Sequence, residues 1–169
     1  VLFLTNVAVA VDFQDVTSGH DNAEAIGYLE ANGTVQGYED GSFKPGNHIN
    51  RAEFLKILLY GKLEGTKKDC FPDVKDQWFA PYICQAKSLG YISGYDDGMF
   101  HPEREINFAE AAKMIANLRQ LSIGEEGSVW YQKYVDALAD NQAIPTSIEA
   151  FDHLVSRGEM AEMIWRIDA

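Results

Sequence analysis

At 169 residues with 46% hydrophobic content, the chain is long enough to bury a sizeable core and too apolar to be disordered throughout. A formal net charge of -12 without a Lys/Arg cluster excludes duplex nucleic acid as a partner, since that affinity comes from cations neutralising phosphates. Any anionic ligand must be caught by a few locally placed cations working against the overall field.

The start, Val1 to Val11, is apolar, uncharged and ends in small residues. It reads as the tail of a secretory signal peptide whose basic end is missing, with Ala8 or Ala10 suited to cleavage. A first buried strand is the competing reading of such a Val-rich run. Residues 1–12 are therefore set apart as a signal remnant. No later run approaches the roughly 18 apolar residues a spanning helix needs, so the mature chain is expected to be soluble.

From Phe13 onward the chain repeats itself. Phe13-Gln14-Asp15-Val16 returns as Phe71-Pro72-Asp73-Val74, and Gly33 to Pro45 returns as Gly90 to Pro102, sharing Gly-x-x-x-Gly-Tyr-x-Asp-Gly-x-Phe-x-Pro. Ile49-Asn50-Arg51-Ala52-Glu53 returns as Ile106-Asn107-Phe108-Ala109-Glu110. A third, eroded copy opens with Trp130-Tyr131, which echoes Trp78-Phe79, and closes with Val155-Ser156-Arg157-Gly158-Glu159. In it Gln142-Ala143-Ile144-Pro145 stands in place of the glycine-rich turn. The copies are assigned to 13–62, 70–121 and 128–169.

Each copy reads as helix, turn-rich loop, helix, which makes the chain all-α. Ala23 to Asn32 and Tyr82 to Leu89 carry apolar residues at helical spacing, and each run stops at a glycine, Gly33 or Gly90, placed as a C-cap. The loop that follows is rich in Gly, Asp and Pro, the residues of tight turns. Its acids, Glu39-Asp40 and Asp96-Asp97, do not have EF-hand spacing, so a turn role is expected rather than calcium. The second helix opens with Asn50 and Glu53, Asn107 and Glu110, or Ser156 and Glu159, each with capping-box spacing. Behind each box lies an apolar face, such as Phe54, Leu55 and Leu58 in the first copy. Three such helices, each too short to stand alone, are expected to bury these faces against one another.

Cys70 and Cys84, the only cysteines, suggest one disulfide closing a short loop, with two buried free thiols as the other reading. Two cysteines without further ligands cannot complete a zinc shell, so no metal is expected. Arg51 and Arg157 stand at the first helical position, where the partial positive charge of the helix end disfavours a cation. A cation held there, together with the helix end, is a candidate anion site suited to carboxylate.

Together these motifs, the Phe-x-Asp-Val, the glycine-rich turn and the Arg-Ala-Glu or Arg-Gly-Glu helix start, resemble the S-layer homology domain in three tandem copies. The resemblance implies a three-pronged, pseudo-threefold spindle with a central three-helix bundle and ligand grooves between prongs. It implies attachment of exported proteins at the cell surface to secondary cell-wall polysaccharide, often pyruvylated, or to a peptidoglycan-linked polymer. Carried over by position, Arg51 and Arg157 pair with the polymer's carboxylate, Arg51 being the better candidate. Asp15 and Asp73 accept from sugar hydroxyls, unless each merely caps its turn. Trp78 and Trp130 stack on a sugar, unless they serve as core, and Gly33 and Gly90 admit the ligand close to the backbone. Phe108 replaces the motif arginine in the second copy and His20 the tryptophan in the first, so the groove that depends on Phe108 is expected to be weak or dead.

No catalytic constellation and no cofactor site emerges, because most acids fall in capping boxes or turns. The competing reading is a structural or surface-layer assembly module that has lost sugar binding, with a larger surface protein or lattice as its partner.

Overall fold

The computed structural model describes residues 12–169; the signal-peptide reading of the first residues lies outside them. Six helices form: α1 (Ala23–Ala31), α2 (Arg51–Leu58), α3 (Ala80–Ser88), α4 (Phe108–Leu118), α5 (Gln132–Asp140) and α6 (Arg157–Asp168). No strand appears among the described residues, only isolated bridges. α3 starts two residues earlier than periodicity suggests, because Pro81 lies in its first turn, where a fixed φ and a missing N–H cost nothing.

Three bridges create the architecture. Ile49 N–H donates to the carbonyl of Val155, Val155 N–H to Ile106, and Ile106 N–H to Ile49, each at 3.0–3.1 Å. The segments entering α2, α4 and α6 therefore close a ring, one from each copy. The same loops cap the helices. Arg51 and Ala52 donate to Arg104 and Pro102, Phe108 and Ala109 to His153 and Phe151, and Arg157 and Gly158 to Asn47 and Pro45. The expectation that the α2 and α6 N-termini present free amides to an anion is thus corrected. Their first two N–H groups are consumed by neighbouring loops, and the third is bound by Asn50 or Ser156.

At the other end Arg119, which caps α4, donates from Nη1 to the Leu58 carbonyl at the end of α2 and holds Asp168 of α6 through Nε and Nη2 at 2.6 and 2.7 Å. With their starts joined by the ring and their ends tied by Arg119, α2, α4 and α6 bury Phe54, Leu55, Leu58, Ile115, Met160 and Ile164 almost completely in one core. A side chain such as Phe54, with no exposed surface, contributes roughly 1.5 to 3 kcal/mol.

The outer helices pack mainly on a helix of another copy. α3 lies against α2, α5 against α4 and α1 against α6, so each packed pair borrows its first helix from the next copy. α1 on α6 closes the circle between the two ends of the described chain.

Gly33 and Gly90 follow α1 and α3 with φ of +68° and +76°, and the next amide reaches back to Leu29 or Ala86, a Schellman closure. In the third copy Gln142 takes the same left-handed conformation at φ +54° and Ala143 makes the equivalent bond to Leu138. The helix stop is kept where its glycine is lost. Cys70 and Cys84 form the disulfide, with Cα atoms 5.4 Å apart, fastening the start of the second copy to α3. No helix of the described residues is long and apolar enough to cross a membrane.

Candidate functional site

The exchange of helices between copies opens grooves whose walls come from all three. One, of about 330 Å³, runs along Gly33 to Tyr38 and is lined by Glu53 and Lys56 of α2, Trp78 of the second copy and Arg157 of the third. The other, of about 380 Å³, runs along Tyr91 to Asp96 and is lined by Glu110 and Lys113 of α4, Trp130 of the third copy and Arg51 of the first. Each thus holds one arginine, one lysine, one glutamate and one tryptophan at matching positions of the repeat.

Both arginines are buried, with 4% of Arg51 and 7% of Arg157 exposed. Each Nε donates to a loop carbonyl, Arg51 to Phe100 at 3.0 Å and Arg157 to Phe43 at 2.8 Å. Each guanidinium lies over two rings, Tyr95 and Phe100 or Tyr38 and Phe43, at 4.4 to 5.0 Å from the centroids. A planar cation stacked in this way is fixed in orientation before any ligand arrives.

The two differ in their anions. Nη1 of Arg51 stands 3.5 Å from Oε2 of Glu110, whose Oε1 also accepts from the Tyr95 hydroxyl. Burial pushes the Arg51 guanidinium below its ordinary value, against the opposing pull of Tyr95 and Glu110. Burial and the bond to Glu110 push the Tyr95 hydroxyl up to about 12. No carboxylate lies within ion-pair distance of Arg157 among the described residues. Its fixed partner is the Phe43 carbonyl.

The reason is a difference in capping. Glu110 and Glu159 curl back to the amides of Asn107 and Ser156, completing capping boxes. Asn50 accepts from the Glu53 amide at 2.8 Å, but the Glu53 carboxylate does not return the bond and lines the groove instead. The expected box at Asn50 is therefore only half formed.

Trp78 and Trp130 are 55% and 53% exposed, which removes the reading of both as core. Lys56 stands 5.5 Å from the Trp78 ring and Lys113 5.6 Å from the Trp130 ring. Burial, then Lys133 and Arg51, pushes the Lys113 ammonium below its ordinary value. A stacking face beside a cation can hold a flat or ring-bearing anion.

Asp15 and Asp73 lie outside both groove walls. Asp15 accepts from the amides of Phe43 and Lys44 at 2.8 Å, and Asp73 from those of Phe100 and His101 at 3.0 and 2.7 Å. Each carboxylate clamps its loop, and the slight burial that pushes Asp15 up is outweighed by its two amides, which hold it below the usual range. Asp40 and Asp97 likewise accept from the amides of Ser42 and Met99 inside their turns. Gly33 lines the first groove, where a Cβ would come within 2.7 Å of the Tyr60 hydroxyl; Gly90 is not on the second groove's wall.

Between the third copy and the first the corresponding positions hold no free cation among the described residues. Phe108 is buried where the arginines stand, and Glu162 occupies the lysine position, bound to Asn22 and Arg166. His20, in place of the tryptophan, accepts from the Asn22 amide. Sequence reasoning missed Lys56 and Lys113, although their recurrence five residues after Arg51 and Phe108 was a readable signal.

A family model described as S-layer homology domain matches residues 12–55 and 71–112, half of the chain. The chain is 34% identical over 119 residues to Cell surface glycoprotein 1 of Acetivibrio thermocellus, covering 63% of this chain and 5% of that protein. It is 35% identical over 113 residues to the Cellulosome-anchoring protein of the same organism, covering 63% of this chain and 25% of that protein. Against S-layer protein sap of Bacillus anthracis it is 29% identical over 124 residues, 72% of this chain and 15% of that protein. The chain thus spans a quarter or less of the length of these relatives.

Proposed function

The chain belongs to the S-layer homology domain family, and from that premise we propose that it is a non-covalent cell-wall anchoring module that binds an anionic secondary wall polysaccharide in its two cationic grooves. Its units are the copies at 13–62, 70–121 and 128–169, and its setting is the cell surface. The names of the Cellulosome-anchoring protein and of S-layer protein sap support anchoring. A disulfide between Cys70 and Cys84 suits an oxidising, exported setting.

The observation that carries the reading is Arg157: a buried guanidinium, orientated by two rings and one carbonyl, that faces a groove without a carboxylate partner. A carboxylate or pyruvyl acid entering there supplies the missing anion to the remaining guanidinium N–H groups, with Lys56 alongside. Trp78 offers its face to the sugar ring. The Arg51 groove repeats the design, but Glu110 already partly neutralises its arginine, so the order expected from sequence is reversed and Arg157 becomes the stronger site. Phe108 and Glu162 deprive the third position of its cation, which favours a structural role for that face alone.

Purified wall sacculi should retain the chain, and calorimetry on solubilised polymer should show Arg157→Ala losing most of the affinity while circular dichroism stays unchanged. Retention of full affinity by a folded Arg157→Ala, Arg51→Ala double variant would overturn the reading.

A further inference from the structure

Beside Trp130, which also lines the Arg51 groove, the chain departs from its own repeat. The carbonyls of Pro45, Pro102 and Phe151 accept from the second residue of α6, α2 and α4, so these three residues occupy one position in the three copies. Two are prolines at least half buried, whereas the third is a phenylalanine that is 42% exposed. Its backbone is fixed by the 3.0 Å bond from Ala109. Its ring stacks on Tyr131 at 4.5 Å and 35°, and Tyr131 meets the exposed Trp130 edge-on at 5.4 Å and 86°. The result is a shallow aromatic shelf edged by the exposed carboxylates of Glu149 and Asp152, which have no ion-pair partner among the described residues.

We propose that this shelf is a second carbohydrate subsite, which takes an uncharged pyranose of the same glycan whose acidic unit enters the Arg51 groove. The proposal rests on the wall-polysaccharide reading above. Rigid rings offer a flat apolar surface to the C–H face of a sugar, and carboxylates that lack partners accept from its hydroxyls. Glu149 and Asp152 repel an acidic unit, whereas Arg51 and Lys113 attract one. Trp130 lines both sites, so a glycan held in one passes the other.

Two probes separate this proposal from its premise: the intact acidic wall polymer and the same polymer stripped of its acidic groups, each titrated into isotope-labelled full chain with the tryptophan indole signals followed by NMR. The stripped polymer should shift the Trp130 indole of the parent. Phe151→Pro, which restores the residue of the other copies, should weaken that binding at least tenfold, and Asp152→Asn should weaken it by a smaller factor. Gly46→Ala, which lines none of the grooves and has open space around it, should leave it unchanged. A stripped polymer that leaves the Trp130 signal in place, or one that binds Phe151→Pro and Phe151→Ser like the parent, would overturn the shelf. Failure of the intact polymer to bind the parent would instead overturn the anchoring reading, and the stripped polymer would still decide the shelf.

Discussion

Nη1 of Arg51 stands 3.5 Å from Oε2 of Glu110, and Arg157, its equivalent in the other groove, has no such neighbour among the described residues. The two grooves should therefore differ in strength. Arg157→Ala is expected to cost roughly 2 to 5 kcal/mol of polymer affinity, and Arg51→Ala less, since its ion pair must be loosened before a ligand is held. Arg157→Lys should restore only part, having the charge without the planar fork. Glu110→Gln should strengthen the Arg51 groove toward a carboxylate. With a net charge of -12 on the protein, affinity should first rise with moderate salt and then fall as the local pair is screened. Calorimetry across a salt series checks each value, and equal losses for the two arginines would remove the role given to Glu110.

The capping glutamates should separate by variant. Glu53 makes no return bond to Asn50, so Glu53→Gln should change stability by less than about 0.5 kcal/mol. Glu159 accepts from the Ser156 amide and the Ser147 hydroxyl and pairs with His153, so Glu159→Gln should cost roughly 1 to 3 kcal/mol. Burial pushes the Glu159 carboxyl up, but these bonds outweigh it and hold it below its ordinary 4.5. Its contribution is therefore complete above that value and lost as pH falls through the lower folded value. Urea unfolding between pH 6 and pH 3 should show a shallower acid loss for Glu159→Gln than for the parent.

Breaking the Cys70–Cys84 bond should lower stability by roughly 3 kcal/mol in the chain-entropy model, because a separation of 14 residues is closed before folding. Cys70→Ser with Cys84→Ser, melted beside the parent with and without reductant, tests this. A parent whose Tm ignores reductant under unfolding conditions would contradict it.

Gly94→Ala should be among the most damaging single-methyl changes. An added Cβ would lie 2.6 Å from the Met99 carbonyl oxygen and 2.9 Å from the Phe71 ring, and that carbonyl already accepts from Tyr95. The cost is expected at the upper end of the roughly 1 to 3 kcal/mol of overpacking. Gly46→Ala, with open space around it, is the control. Thermal melts of the two variants should differ clearly.

Much of the local structure was legible in the residues themselves. Gly33 and Gly90 marked helix ends because the left-handed conformation is cheapest for glycine, and Asn50, Asn107 and Ser156 marked helix starts because their short side chains bind the third amide. The repeat of Phe-x-Asp-Val, turn and helix start was visible because each copy solves the same local problem with the same residues. The aromatic position at Trp78 and Trp130 and the arginines at Arg51 and Arg157 could be nominated in the same way.

What the tertiary structure decided were relations between copies. Nothing in one copy says that α1 packs on α6, that Pro45, Pro102 and Phe151 cap helices belonging to other copies, or that Arg157 and Trp78 face one groove across 79 positions of sequence. Local bonds are written in adjacent residues, because the chain holds their partners within reach whatever else it does. The loss of the free helix-end amides and the pairing of Arg51 with Glu110 arise only when separate segments meet around shared donors and charges, and that meeting exists only in the closed ring.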